Sequence, residues 1–199
     1  MATFSASDVK ELRERTGAGF MDCKHALEES DGDLDKAVVL LRERGLAAAA
    51  KRVGRDAREG LVASYIHPGG RVGVLIEVNC ETDFVARTEQ FQKLVHDLAV
   101  QVAGLDPTYV DVERIPAPEL EAKKAALLAD EATQKKPEHI RPQIVDGQLN
   151  KWYADVCLME QPFRDTEMSV GDLVRSAIAT IGENIRVRRF ARYALGEVL

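Results

Sequence analysis

Long apolar runs, paired cysteines, grouped histidines and an excess of positive charge are all missing from this chain, and each gap removes a class of function. No hydrophobic stretch approaches the roughly 20 residues that a membrane-spanning helix needs. The opening Met-Ala-Thr-Phe-Ser has neither a basic region nor an apolar signal core, so a cytoplasmic protein is expected. The three cysteines, Cys23, Cys80 and Cys157, lie far apart with no Cys-x-x-Cys pair, which suggests neither a disulfide framework nor a structural zinc site. The four histidines, His25, His67, His96 and His139, show no metal-ligand spacing, and there is no glycine-rich phosphate loop or nucleophile elbow. No metal, no cofactor and no enzymatic constellation is expected. Cys80 stands beside Glu81 and Asp83, carboxylates that disfavour the thiolate a reactive cysteine requires. With 33 acidic against 27 basic residues the net charge is −6, which argues against direct nucleic-acid binding. Two local basic stretches, Lys51, Arg52, Arg55 and Arg58, then Arg186, Arg188, Arg189 and Arg192, read as solvated faces balanced by acidic neighbours.

What is present is ordinary soluble-globular composition, 45% hydrophobic and 30% charged over 199 residues, enough for one to two domains. The pattern predicts an α+β chain in three parts. Residues 1–45 read as a three-helix module: Ser7 as an N-cap with Val9, Leu12 and Thr16 on one face before Gly17, a second helix over 20–30, then Leu34, Ala37, Val38 and Leu41 until Gly45. A bundle this small resembles the ubiquitin-associated type and has little core of its own. Residues 46–58, alanine-rich and basic, read as a helical or hinged connector. Residues 59–199 read as an antiparallel sheet packed with helices. A hairpin turns at His67-Pro68-Gly69-Gly70, its second strand alternating through Val72, Val74, Ile76 and Val78. Phe91, Leu94, Val95, Leu98 and Val102 mark a helix capped by Thr88. Further on, the pattern predicts a short edge strand over 108–113, a charged helix over 119–134, and two helical stretches over 137–159 broken at Asp146-Gly147 with Trp152, Val156 and Leu158 as anchors. Ser169 and Asp172 then resemble a capping box before an amphipathic helix ending at Gly182, and a last strand over 185–195, with a bulge or a turn of the strand axis at Arg188-Arg189, completes the sheet.

The alternation of the hairpin strand stops at residues 79–87, Asn-Cys-Glu-Thr-Asp-Phe-Val-Ala-Arg. Three polar side chains, Glu81, Thr82 and Asp83, precede the apolar pair Phe84 and Val85. Two readings remain open: a presented tip on a rigid sheet, where binding residues tend to sit, or a Phe84 that folds back to plug the seam with the next helix. In the first module, Phe20 and Met21 follow Gly17-Ala18-Gly19, where missing side chains allow a close approach. Adjacent helix positions cannot both face one core, so at least one should face outward. Arg13 alone reads as a solvated helix residue.

The words Thr16-Gly17-Ala18-Gly19-Phe20-Met21-Asp22-Cys23-Lys24-His25-Ala26-Leu27 and Asn79-Cys80-Glu81-Thr82-Asp83-Phe84-Val85-Ala86 resemble the two signatures of the elongation factor Ts family. The likeness extends to Glu160-Gln161-Pro162-Phe163 and Gly182-Glu183-Asn184-Ile185. It implies a guanine-nucleotide exchange factor rather than an enzyme, with elongation factor Tu as partner and the GDP and magnesium held by that partner. The residues matching Thr82, Asp83, Phe84 and Val85 would dislodge the magnesium and open the nucleotide site, while those matching Arg13, Phe20 and Met21 would grip another part of the same domain. Phe20 departs from the more usual methionine, keeping apolar bulk but losing flexibility. The chain resembles the short form, with a single core unit, which implies a homodimer. The alternative is a non-catalytic scaffold of ubiquitin-associated type that tethers a partner without changing its nucleotide affinity.

Overall fold

The computed structural model describes residues 4–164, 166 and 168–197. By proximity of the backbone they form two compact units. One contains residues up to Gly60 with Asn79–Phe91 and Val174–Arg186; the other contains Leu61–Val78, Gln92–Leu173 and Val187 onward.

The first unit begins with α1 (Ala6–Thr16), α2 (Phe20–Glu29) and α3 (Leu34–Ala50). Ser5, not Ser7, caps α1: its hydroxyl accepts from the Asp8 amide at 3.3 Å while the Asp8 carboxylate accepts from the Ser5 amide, a reciprocal box that Ser7 is too late in the chain to make. Gly17 ends α1 at φ 67°, a left-handed position that glycine adopts without strain. Asp33 caps α3 through two main-chain amides. Val9, Leu12, Cys23, Ala26, Leu27, Ala37 and Leu41 form the module's core, with Phe4, Leu34 and Val38 packed against it.

The expected stop at Gly45 does not occur, and α3 continues to Ala50. Its reason is packing: a Cβ at Gly45 would lie 3.0 Å from Ala179 Cβ, on α9 (Val170–Ile181). Glycine therefore lets another helix come close rather than ending its own. Gly17 both ends α1 and leaves room for Thr180, whose Cγ2 would lie 3.0 Å from a Cβ at that position. The last turn of α9 thus meets two glycines of the helical module.

β1 (Glu59–Ile66) and β2 (Val72–Cys80), whose residues 61–66 and 72–78 belong to the second unit, form the predicted hairpin, closed by the His67 amide donating to the Val72 carbonyl. β3 (Arg186–Ala194) pairs with β2, giving an antiparallel sheet in the order β1-β2-β3. Val74, Ile76 and Val78 are buried, as their alternation predicts. The long helix α5 (Glu89–Leu105) buries Phe91, Leu94, Val95, Leu98 and Val102. His96 meets Tyr65 of β1 edge-on, and Arg192 of β3 donates to the Ala103 carbonyl, which fixes this helix against the sheet. Gln161, fully buried, is satisfied by Gln101 and by the Leu105 carbonyl.

Three expectations fail here. Residues 108–113 form no sheet strand: Thr108 and Tyr109 donate to the Val156 carbonyl, Tyr109 makes one isolated bridge to Cys157, and Asp111 caps a short 3₁₀ turn. The β-prone residues find a helix end, not a strand, as their partner. The charged helix is split into α6 (Ala117–Ala129) and α7 (Glu131–Gln134), because Asp130 turns extended and caps the second piece. Conversely α8 (Arg141–Val156) runs unbroken through Asp146-Gly147, anchored by buried Val145 and Leu149. Of its three expected anchors only Leu158, just beyond the helix, is buried, while Trp152 and Val156 are half-buried. The Ser169 and Asp172 box forms as predicted.

Candidate partner-binding site

β2 delivers the chain to Cys80, and the backbone then turns at once into α4 (Asp83–Ala86), a single helical turn. Thr82 is its N-cap: extended itself, at φ −129° and ψ 153°, it accepts the Val85 amide on its hydroxyl at 3.3 Å. Ala86 is the turn's buried residue. Phe84 points the other way and is 78% exposed, so it plugs no seam. Val85 is half-buried. Asp83 does not cap: its carboxylate pairs with Arg87 one turn on, at 2.8 Å, on the solvent side.

A one-turn helix cannot sustain itself, because nucleation costs more than its few hydrogen bonds return. Here the support comes from the turn between α9 and β3. Glu183 Oε2 accepts the main-chain amides of Glu81 and Thr82 at 3.1 and 3.0 Å, and Oε1 accepts the Thr82 hydroxyl at 2.7 Å. In return Glu81 Oε1 accepts the Asn184 amide at 2.6 Å. Asn184, itself buried, donates its side-chain amide to the Arg55 carbonyl at 2.7 Å, and the Arg55 guanidinium lies 3.7 Å from Glu81. Neither Glu183 nor Asn184 stands out in the sequence except as part of a motif word; the local signal is a helix-stopping glycine followed by two polar residues before a strand.

Cys80 closes the underside, its thiol donating to the Thr82 carbonyl at 3.1 Å. Burial pushes that thiol up to about 11, with the Glu183 charge adding to the effect. The sequence expectation of a disfavoured thiolate holds, but burial and a distant glutamate supply it rather than the adjacent Glu81 and Asp83. Cys157 is likewise pushed up to about 11 by burial first, with Glu160 and Asp111 adding to it. Among the described residues no cluster of three or more His, Cys, Asp or Glu side chains is placed to hold a metal, and no helix is long and apolar enough to cross a membrane.

In the helical module, Phe20 and Met21 open α2 and both face outward, 54% and 53% exposed. Buried Cys23, Ala26 and Leu27 carry the inner face of that helix instead. Arg13 is exposed near the end of α1. All seven predicted site residues lie in the first unit, Arg13 on α1, Phe20 and Met21 on α2, and Thr82 to Val85 on α4 and its cap. Within the basic stretches Arg55 pairs with Glu81, Arg58 with Asp56, Arg188 and Arg189 with Glu77, and Arg192 with Asp106.

Such an arrangement offers apolar side chains on a braced scaffold. The family model described as Elongation factor TS matches residues 34–197. Relatives named Elongation factor Ts include that of Desulforamulus reducens, 54% identical over 200 residues covering 100% of this chain and 92% of the relative. That of Moorella thermoacetica is 56% identical over 194 residues, covering 97% and 96%, and that of Caldanaerobacter subterraneus is 55% identical over 194 residues, covering 97% of each. A family match over most of the chain, with relatives more than half identical along nearly its whole length, leaves one conclusion: the chain belongs to the elongation factor Ts family.

Proposed function

We propose that this protein is the guanine-nucleotide exchange factor of elongation factor Tu, and that it works by presenting Phe84 to the partner's nucleotide domain. The observation that carries the reading is a large apolar ring, 78% exposed, on a one-turn helix braced from outside. Leaving that ring in water gains nothing for this chain's own fold. Entering the partner beside its magnesium, the ring with Thr82, Asp83 and Val85 displaces the ion and loosens the GDP; the ion and the nucleotide are the partner's. Residues 1–45 act as a second grip through Arg13, Phe20 and Met21, residues 46–58 connect, and residues 59–199 form the core. No covalent chemistry is needed.

Exchange of this kind is linkage: a partner that binds the nucleotide-free state better weakens the nucleotide by the same factor. Burying one phenylalanine is worth about 1.5 to 3 kcal/mol, similar to a coupling energy of about 1 to 3 kcal/mol. Phe84 thus supplies one substantial step, and the module supplies the remainder. Release of a fluorescent GDP from the magnesium complex of elongation factor Tu is the test. Acceleration that saturates with this protein supports the reading; a complex that forms with an unchanged release rate points to a tether.

The working unit is a homodimer in the cytoplasm. β3 is an edge strand, and Tyr193 and Leu195 stand exposed at its end, the kind of edge that must be covered, charged or paired. Two-fold pairing would use the same patch on both copies. Sedimentation at micromolar concentration should give twice 22.0 kDa; a monomer mass removes the dimer.

A further inference from the structure

We propose that Glu183 is the positioning residue of the exchange site: it orients Phe84 through the Thr82 hydroxyl, and so sets how productively the ring enters the partner. This inference rests on the exchange reading above. Phe84 is too exposed to be held by contacts of its own ring, so its direction is inherited from the α4 backbone. That backbone is in turn set by Thr82, whose hydroxyl makes two bonds at once, donating to Glu183 Oε1 and accepting from the Val85 amide. The first bond fixes the side-chain rotamer that the second one needs. Glu183 also holds the entry to the turn by taking the successive amides of Glu81 and Thr82 on its other oxygen.

The glutamate is itself well anchored. It follows Gly182, the φ 87° stop of α9, and its neighbour Asn184 is tied to Glu81 and to the Arg55 carbonyl. The preceding helical turn touches Gly17 and Gly45 through Thr180 and Ala179. One short stretch, 179–184, therefore reaches both the helical module that carries Phe20 and Met21 and the turn that carries Phe84. Positioning the turn from that stretch fixes it in the same frame as the second grip. This is a role beyond packing, because the bonds end on a cap and not on a core.

A carboxylate is required for all three bonds. Glutamine keeps the size, but its single oxygen can serve only one side. If that oxygen takes the two main-chain amides, its NH₂ group faces the Thr82 hydroxyl, which must then accept instead of donate and leaves its own proton without this partner, while the charge that strengthened all three bonds is gone. If the amide is reversed, donors face donors. Glu183→Gln therefore releases the turn while leaving the hydrophobic core untouched.

The test is a cycle of Glu183→Gln and Phe84→Ala in the full chain, read by GDP release from elongation factor Tu. Glu183→Gln alone should slow the accelerated release about tenfold, the order expected for losing a charge-assisted hydrogen bond. In the Phe84→Ala background it should change release by less than about twofold, because nothing is left to position. An equal loss in both backgrounds, or no loss in either, overturns the proposal. A second readout uses the free protein. Amide hydrogen exchange at Glu81, Thr82 and Val85 should quicken at least about tenfold while Val74, Ile76 and Val78 stay protected; unchanged protection at the three amides also overturns it. Should the parent protein fail to accelerate release, the exchange reading falls, and hydrogen exchange still judges the positioning. Thr82→Val, which deletes only the hydroxyl, should reproduce the loss and serves if Glu183→Gln folds poorly.

Discussion

Replacing Phe84 by alanine separates a presented ring from a structural one, because the two roles predict opposite balances of stability and activity. With 78% of the residue exposed, only about a fifth of its surface leaves water on folding. The expected loss of stability is about 0.5 kcal/mol, against about 3 to 5 kcal/mol for truncating a fully buried phenylalanine. Phe91, seven residues on and 0% exposed, is the internal comparison for that larger cost. Burial of the exposed 78% on the partner is worth about 1 to 2.5 kcal/mol, a loss of roughly 5- to 70-fold in exchange when the ring is removed. Denaturant melts of the parent, Phe84→Ala and Phe91→Ala give the stabilities, and stopped-flow release of fluorescent GDP gives the activity. A melting midpoint for Phe84→Ala close to that of Phe91→Ala would refute the reasoning, as would an undiminished release rate.

Asp83→Ala should lower exchange less than Phe84→Ala does, since its carboxylate makes only an exposed pair with Arg87; stability should change by no more than about 0.5 kcal/mol, and a larger exchange loss than that of Phe84→Ala reverses the ranking. Cys80 should alkylate at pH 8 about a hundredfold more slowly than an ordinary thiol from ionisation alone, because its thiol is pushed from 9.0 to about 11; reaction at the ordinary rate would contradict its placement under Thr82. Gly45→Ala, which in an exposed helix stabilises by about 1 kcal/mol, should instead destabilise, because the new methyl would sit 3.0 Å from Ala179 Cβ. A rise in midpoint would show that α3 and α9 are not in contact there.

The local elements were legible because their causes are local. Val74, Ile76 and Val78 alternate, Phe91 to Val102 recur at helical spacing, and Ser169 stands where a cap belongs, so that strand, that helix and that helix start follow. Failures occurred where a distant partner overrode the local signal. Gly45 reads as a stop until Ala179 is seen beside it. The β-prone stretch at 108–113 lacks a strand to pair with and bonds to a helix end instead. In the candidate site, the broken alternation leaves an exposed Phe84 as one of two open readings, and the residues themselves do not choose between it and a seam plug; its support carries no local signal at all. Glu183 lies 101 residues from Thr82, and no periodicity or spacing connects them. The orientation of Phe20 and Met21 was half legible: adjacency required one to face outward, and the burial of Cys23, Ala26 and Leu27 frees both.

The affinity of elongation factor Tu for GDP, titrated in magnesium at rising concentrations of this protein, tests the exchange function most directly. The GDP dissociation constant should climb to a plateau, and GDP should weaken binding of this protein to elongation factor Tu by that same factor. A complex that forms while the GDP dissociation constant stays constant would contradict exchange altogether.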